Sequence, residues 1–202
     1  DGRFGYDVSA FYIDWTDYQI NVVIGGLSVA GNADKAVSKG FETTLSYALT
    51  DAFTLTGTLA YINAETSVNE PDLGAPEGTQ LPNTPEWAGT LGAQYDFTLG
   101  GYPSFVGATW QYKGDMPVGF PGYTDNMGTY WPPANPRVVV DSYNLFDLRA
   151  GMDLNSWALS VYVTNLFDEW AYTSFGSQFT AASLGTPTRP RTIGAQVQWN
   201  FD

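Results

Sequence analysis

The chain has no cysteine and no histidine among its 202 residues. Without cysteine there is no disulfide framework, no thiolate metal site and no thiol redox chemistry. Without histidine the usual neutral-pH proton shuttle and commonest transition-metal ligand is missing. The Ser–His–Asp and Cys–His catalytic sets are lost with them. Charged residues make up only 14%, against about 25% in ordinary soluble domains. The charge present is mostly acidic, 21 residues against 8 basic for a formal net of −13. That excludes the Lys/Arg footprint that nucleic acid needs, so no nucleic-acid partner is expected. No apolar run approaches the roughly 20 residues of a membrane helix. The opening "DGRFGYDVSA" lacks a charged-then-apolar signal segment and reads as a mature terminus or an internal cut. Gly25–Gly26 and Gly100–Gly101 lack the spacing and the following helix of a phosphate loop.

Aromatics are abundant at 16%, including 13 Tyr and 7 Trp. Alternation with a period of two runs through most of the chain. In the closing "IGAQVQWNFD", Ile193, Ala195, Val197, Trp199 and Phe201 take one side and Gly194, Gln196, Gln198 and Asn200 the other. Such alternation means one wet and one dry face. Strands are expected near 3–17, 37–49, 52–64, 86–97, 103–114, 142–153, 156–166 and 190–201, with 18–24 and 28–36 extending the first hairpin to a tip near Gly25–Gly26. These eight strands are longer than the 5–6 residues typical of globular proteins and match the roughly 9–11 of a tilted membrane strand. The turns "LTDAF", "TLGGYP" and "DLNSW" are tight. The connections at 65–85, 115–141 and 167–189 are long and hold most of the prolines. Short turns at one end and long loops at the other mark an outer-membrane barrel. No repeat or domain linker interrupts residues 1–202, which read as a single segment.

The dry face includes Leu45, Leu59, Leu91, Val106 and Val161, with Trp87, Tyr95, Trp110, Trp157, Trp199 and Phe201 toward strand ends, as aromatic membrane girdles would be placed. A soluble sandwich also alternates; strand length, loop asymmetry and girdle placement favour the membrane. The wet face carries Glu42, Thr44, Thr56, Gln94, Arg149 and Gln196 as candidate lumenal wall. Most wet-face residues are small and uncharged. A closed eight-stranded barrel is filled by its own side chains, and Thr, Ser and Gly would leave it hollow. The fold class is therefore all-β: an antiparallel transmembrane β-barrel, eight long strands forming an arc of something larger.

Four stretches, in order, resemble TonB-dependent outer-membrane receptors: "NADKAVSKGFETTLSY" (32–47), "LPNTPEWAGTLGAQY" (81–95), "VTNLFDEWAY" (163–172) and "RPRTIGAQVQWNF" (189–201). The resemblance implies C-terminal strands of a barrel of about 22 strands, integral to a bacterial outer membrane. It implies a plug domain and N-terminal strands absent here, a TonB complex acting through the plug, and uptake of siderophore–iron or another small-molecule nutrient. The chain departs from the family by ending in Asp202 rather than an aromatic residue. Within "NLFDEW", Asn165 and Asp168 can bond backbone where a strand leaves the sheet; Leu166 and Phe167 can pack at the rim, and Trp170 and Tyr172 suit the outer interface. Lys35 and Arg191 can meet lipopolysaccharide phosphates or stand as solvated rim charge.

Ligand capture is expected in the long loops. Phe120, Tyr123, Tyr130 and Trp131 lie among Gly, Pro and Asn in "MPVGFPGYTDNMGTYWPPANPR", and Phe175 and Phe179 in "AYTSFGSQFTAASLGTPTR". Rigid aromatics lose little entropy on binding flat ligands; equally, they can pack together to hold the loop. The carboxylates Glu65, Glu70 and Asp72, and Asp168 with Glu169, suit a glycosidase pair or calcium, or ordinary solvated loop charge. No catalytic residue, cofactor or metal is assigned. Two rival readings stand: a free-standing small outer-membrane barrel with an adhesion or structural role, and a soluble carbohydrate-binding β-sandwich.

Overall fold

A computed structural model describes residues 2–24, 27–121, 123–124, 130–131, 139–177 and 183–199. Its strands are β1 (Phe4–Ile24), β2 (Leu27–Ala48), β3 (Phe53–Thr66), β4 (Trp87–Leu99), β5 (Tyr102–Lys113), β6 (Met116–Pro117), β7 (Tyr123–Thr124), β8 (Tyr130–Trp131), β9 (Val139–Val140), β10 (Tyr143–Leu154), β11 (Trp157–Thr164), β12 (Tyr172–Ser177), β13 (Ser183–Pro187) and β14 (Thr192–Trp199). Eight form one sheet in the order β1-β2-β3-β4-β5-β10-β11-β14. Every neighbouring pair is antiparallel. Apart from the first hairpin, each observed boundary lies within two residues of the one that alternation places. The hairpin extension is present: β1 and β2 pair as far as Ile24 with Leu27, and the expected tip, Gly25–Gly26, lies outside the described residues.

The long connections are not plain loops. They carry three small antiparallel pairs, β6 with β9, β7 with β8, and β12 with β13. The short turns follow residue chemistry. Gly100 and Gly101 both have positive φ, 61° and 91°, between the paired residues Leu99 and Tyr102, as a two-residue hairpin turn requires. Asn155 takes φ 67° between Leu154 and Trp157.

The sheet is a single layer. Leu45, Leu59, Val161 and Val197 remain 42%, 40%, 55% and 60% exposed. A soluble domain would cover that apolar face with a second layer, and none is present among the described residues, so the β-sandwich reading is set aside. β1 and β14 are opposite edges that do not pair with each other. A closed eight-stranded barrel would join them. The sheet is an open arc, and the free-standing small barrel is set aside too.

The packed cluster lies at the long-loop end, not in the wall. It comprises Ala33, Ala36, Ala64, Leu73, Ala75, Leu81 and Phe120, flanked by Tyr18, Ile20 and Ile62. Ala33 and Ala36 are three apart on one strand, so simple alternation would put them on opposite faces. The β1–β2 ladder omits the step between Thr16↔Lys35 and Tyr18↔Ala33, and Asp17 has φ 53°. Aspartate tolerates that left-handed conformation better than most residues. The kink turns Tyr18 and Ala33 onto the cluster. Beneath it, the 67–86 connection is tied to itself. Thr66 Oγ1 and Thr79 Oγ1 both donate to the Pro76 carbonyl, at 2.7 and 2.6 Å. Glu70 and Ala75 exchange backbone hydrogen bonds around the 3₁₀ turn Pro71–Leu73.

Candidate functional site

Parity along each strand separates the two faces. The apolar face carries a central band of Leu59, Leu91, Ala93, Val106, Ala108, Leu148, Ala150, Val161 and Ala195. Aromatic rings flank it at both ends. At the long-loop end Trp87 lies 4.7 Å from Tyr61 and 6.1 Å from Phe41 between ring centroids. Trp110 stacks on Tyr112, and its Nε1–H donates to Asn144 Oδ1 at 2.9 Å. At the short-turn end Tyr95 stacks on Phe97, and Trp157 stacks on Trp199 with 5.1 Å between centroids. Phe201 lies outside the described residues.

The polar face is concave, with open hollows against it. Glu42, Thr44, Thr56, Gln94, Arg149 and Gln196 all lie on it. Across the sheet, Thr54, Gln94, Gly107, Arg149, Tyr162 and Gly194 form one row of register partners. Arg149 Nη2 donates to Gln94 Oε1 at 2.6 Å, and Gln94 Nε2 donates to Asp96 Oδ1 at 2.9 Å. Thr58 and Thr90 share a hydroxyl–hydroxyl bond of 2.8 Å. Sequence reasoning passed over two large inward rings. Phe105 lies where any Cβ on Gly151 would strike it, and Tyr162 does the same over Gly194. The available signal was parity: each is one residue from an outward valine, Val106 or Val161, and opposite a glycine.

The "NLFDEW" stretch forms a knot at the rim. Asn165 is buried with φ 51°. Its backbone N–H donates to Asp147 Oδ1 at 2.8 Å. Its side-chain amide donates to the carbonyls of Glu169 and Arg189, both at 2.9 Å, and accepts from the Glu169 N–H at 2.8 Å. Asp168 Oδ1 accepts the Arg191 N–H at 2.8 Å. The knot joins the end of β11 to the start of β14 and to β10. Phe167 and Trp170 are exposed and pack on Phe146 and Tyr172. Arg191 Nη1 reaches the Leu166 carbonyl at 3.4 Å.

Phe120 is only 5% exposed, packed within the rim cluster. β7 and β8 place Tyr123 opposite Trp131, beside Tyr130, and β12 places Phe175 opposite Gly185. The side chains of Tyr123, Tyr130, Trp131 and Phe175, and all of Phe179, lie outside the described residues. The loop carboxylates are not simply solvated. Glu65 Oε1 pairs with Lys39 Nζ at 3.3 Å, and the buried Glu70 accepts the Lys35 N–H at 3.0 Å. No group of three metal-binding side chains occurs among the described residues. Beside Glu70, the Tyr18 hydroxyl is buried without a hydrogen-bond partner among the described residues. Burial, and secondarily the Glu70 charge, push its pKa up to about 12.

The chain matches the family described as TonB dependent receptor-like, beta-barrel, over residues 1–166. It is 30% identical over 207 aligned positions to the metal-pseudopaline receptor CntO of Pseudomonas aeruginosa, covering all of this chain and 26% of that protein. Among solved structures it resembles the ferric yersiniabactin uptake receptor FyuA of Yersinia pestis, with a TM-score of 0.77, 18% identity, and coverage of 100% of this chain and 28% of that one. It also resembles the ferric-catecholate import receptor Fiu of K12 E. coli, with a TM-score of 0.72, 26% identity, and coverage of 100% and 26%. The chain thus spans about a quarter of the length of these relatives. Such barrels are integral to the outer membrane and serve as transport receptors. An arc with an apolar convex face, a polar concave face and looped outer rim is what one quarter of such a barrel presents, and the chain belongs to the TonB-dependent receptor β-barrel family.

Proposed function

We propose that the chain is a wall segment of an outer-membrane receptor that imports a small metal–chelate complex, of the siderophore–iron kind, using energy relayed from a TonB complex. On this reading residues 1–202 are one barrel segment. The remaining strands and the plug domain belong to the rest of the receptor. The observation that carries the reading is the single-layer sheet: an exposed apolar band between two aromatic rows on one face, and small polar groups on the other. The first suits lipid; the second suits a wide bore filled by a plug. The relatives' descriptions as receptors for metal-pseudopaline, ferric yersiniabactin and ferric catecholate favour a metal chelate as cargo. Tyr123, Tyr130, Trp131, Phe175 and Phe179 are the loop candidates for capture. Lys35 and Arg191 face the lipopolysaccharide phosphates at the rim. The inward threonines, with Glu42, Gln94 and Gln196, line the plug. The test is growth under metal limitation of a strain lacking the full-length receptor. Chelate-supported growth should fall, return with the full-length gene, and fail to return when TonB is also deleted. Equal uptake with and without the receptor would overturn the reading.

A further inference from the structure

We infer that Arg149 is a docking group that takes a carboxylate of the plug domain; the inference rests on the receptor reading above. Arg149 sits near the middle of β10, facing the bore, with Gly107 and Tyr162 as its register partners. Three neighbours fix its guanidinium. Gln94 accepts its Nη2–H at 2.6 Å, and Gln94 is itself oriented by Asp96 at 2.9 Å. The guanidinium carbon lies 5.4 Å from the centre of the Phe105 ring. Gly107 leaves the room the stem needs, since a Cβ there would lie 3.1 Å from Arg149 Nε and 3.3 Å from Cγ. A guanidinium has five N–H donors, and only the bond to Gln94 is satisfied among the described residues.

Among the described residues the wall offers Arg149 no ion partner. Asp147 accepts the Asn165 N–H and a weaker bond from Gln111, and Asp96 is bound to Gln94. No carboxylate lies within ion-pair distance of Arg149 among the described residues. Lys113, also on the polar face, reaches the Thr173 carbonyl at the rim. On the arc itself Arg149 is exposed; on the receptor reading a plug fills the bore and encloses it. An enclosed, unpaired guanidinium is costly, and a carboxylate matches its fork in a bidentate pair. Charge complementarity, and the three quarters of the relatives' length lying outside this chain, point to the plug as the source of that carboxylate.

The experiment is hydrogen exchange on the purified full-length receptor in detergent, comparing wild type with Arg149→Gln, Arg149→Lys and Gln94→Glu. Truncating one side of an enclosed charge pair should speed exchange in one plug segment bearing Asp or Glu by at least about thirtyfold. Arg149→Lys should retain part of the protection. Gln94→Glu, which supplies a rival carboxylate while leaving Arg149 in place, should loosen the same segment. Each variant must still shift on an unboiled gel, so that barrel collapse is not mistaken for plug release. Unchanged plug exchange in Arg149→Gln and Gln94→Glu would overturn the inference. So would a photocrosslinker at position 149 captured only by barrel strands or by bound chelate. The exchange readout does not depend on transport, so a wild-type receptor without energised uptake would sink the receptor reading separately.

Discussion

Asn165 shows how one side chain holds a strand exit together. Its amide makes three hydrogen bonds to Glu169 and Arg189 backbone while its own backbone sits at φ 51°. Asparagine tolerates that conformation better than alanine does. Asn165→Ala should cost about 2–4 kcal/mol, from lost bonds and stranded buried carbonyls, read as a lower guanidinium midpoint of the full-length barrel. Asn165→Asp keeps the acceptor for the Glu169 N–H but sets a carboxylate oxygen against two carbonyl oxygens in a buried site, so it should cost at least as much as Asn165→Ala. Tyr18 gives a pH prediction. Its folded pKa of about 12 lies above the ordinary phenol value of 10.0, so the unfolded chain ionises first. The folded state binds the extra proton between those values, and stability must decline with pH across that window. The contribution is intact below the unfolded value and lost as pH climbs through the folded one. Tyr18→Phe should flatten this alkaline limb of the melting curve. An unchanged limb would mean that Tyr18 is not the group responsible.

At the scale of the element, adjacent residues on one strand meet opposite environments. On β11, Val161 faces outward and Ser160 inward, partnered by Ala195 and Gln196. Val161→Lys should cost about 2–4 kcal/mol near the bilayer midplane, and Ser160→Lys much less, by denaturant titration of the full-length receptor refolded into lipid vesicles. Equal costs would mean that the outward assignment of β11 is wrong. The same parity explains what could be read in advance. Long strands such as β3 and β4 repeat their signal six or seven times, and the turns at Gly100–Gly101 and Asn155 have a local chemistry. The two-residue strands β6 to β9 are too short to establish a period. Burial of Phe120 and Glu70 depends on the 67–86 connection folding back against the raised β1–β2 hairpin, a contact between segments far apart in sequence. The face change at Asp17 rests on one backbone angle, which leaves no trace in an alternating pattern. Arg149 was legible as an inward residue, but its seat required register: only pairing places Gly107 beside it and Gln94 beyond.

For the whole molecule, closure decides stability. Every wall strand between β1 and β14 has two neighbours, whereas each terminal strand exposes one unpaired edge. On the proposed function both faces depend on company as well, the apolar one on lipid and the polar one on a plug. In a bilayer an unpaired backbone group costs several kcal/mol because no water replaces the missing partner, so an open arc cannot remain inserted by itself. In water the same edges and apolar band favour association. The 202-residue chain expressed alone should therefore aggregate and show no difference in gel mobility between boiled and unboiled samples. On the receptor reading, the full-length protein has further strands that close the ring, and it should migrate differently before and after boiling. The decisive comparison is the isolated chain refolded into vesicles: if it acquires a heat-sensitive gel shift and protease resistance as a monomer, β1 and β14 can meet without further strands, and the arc assignment fails.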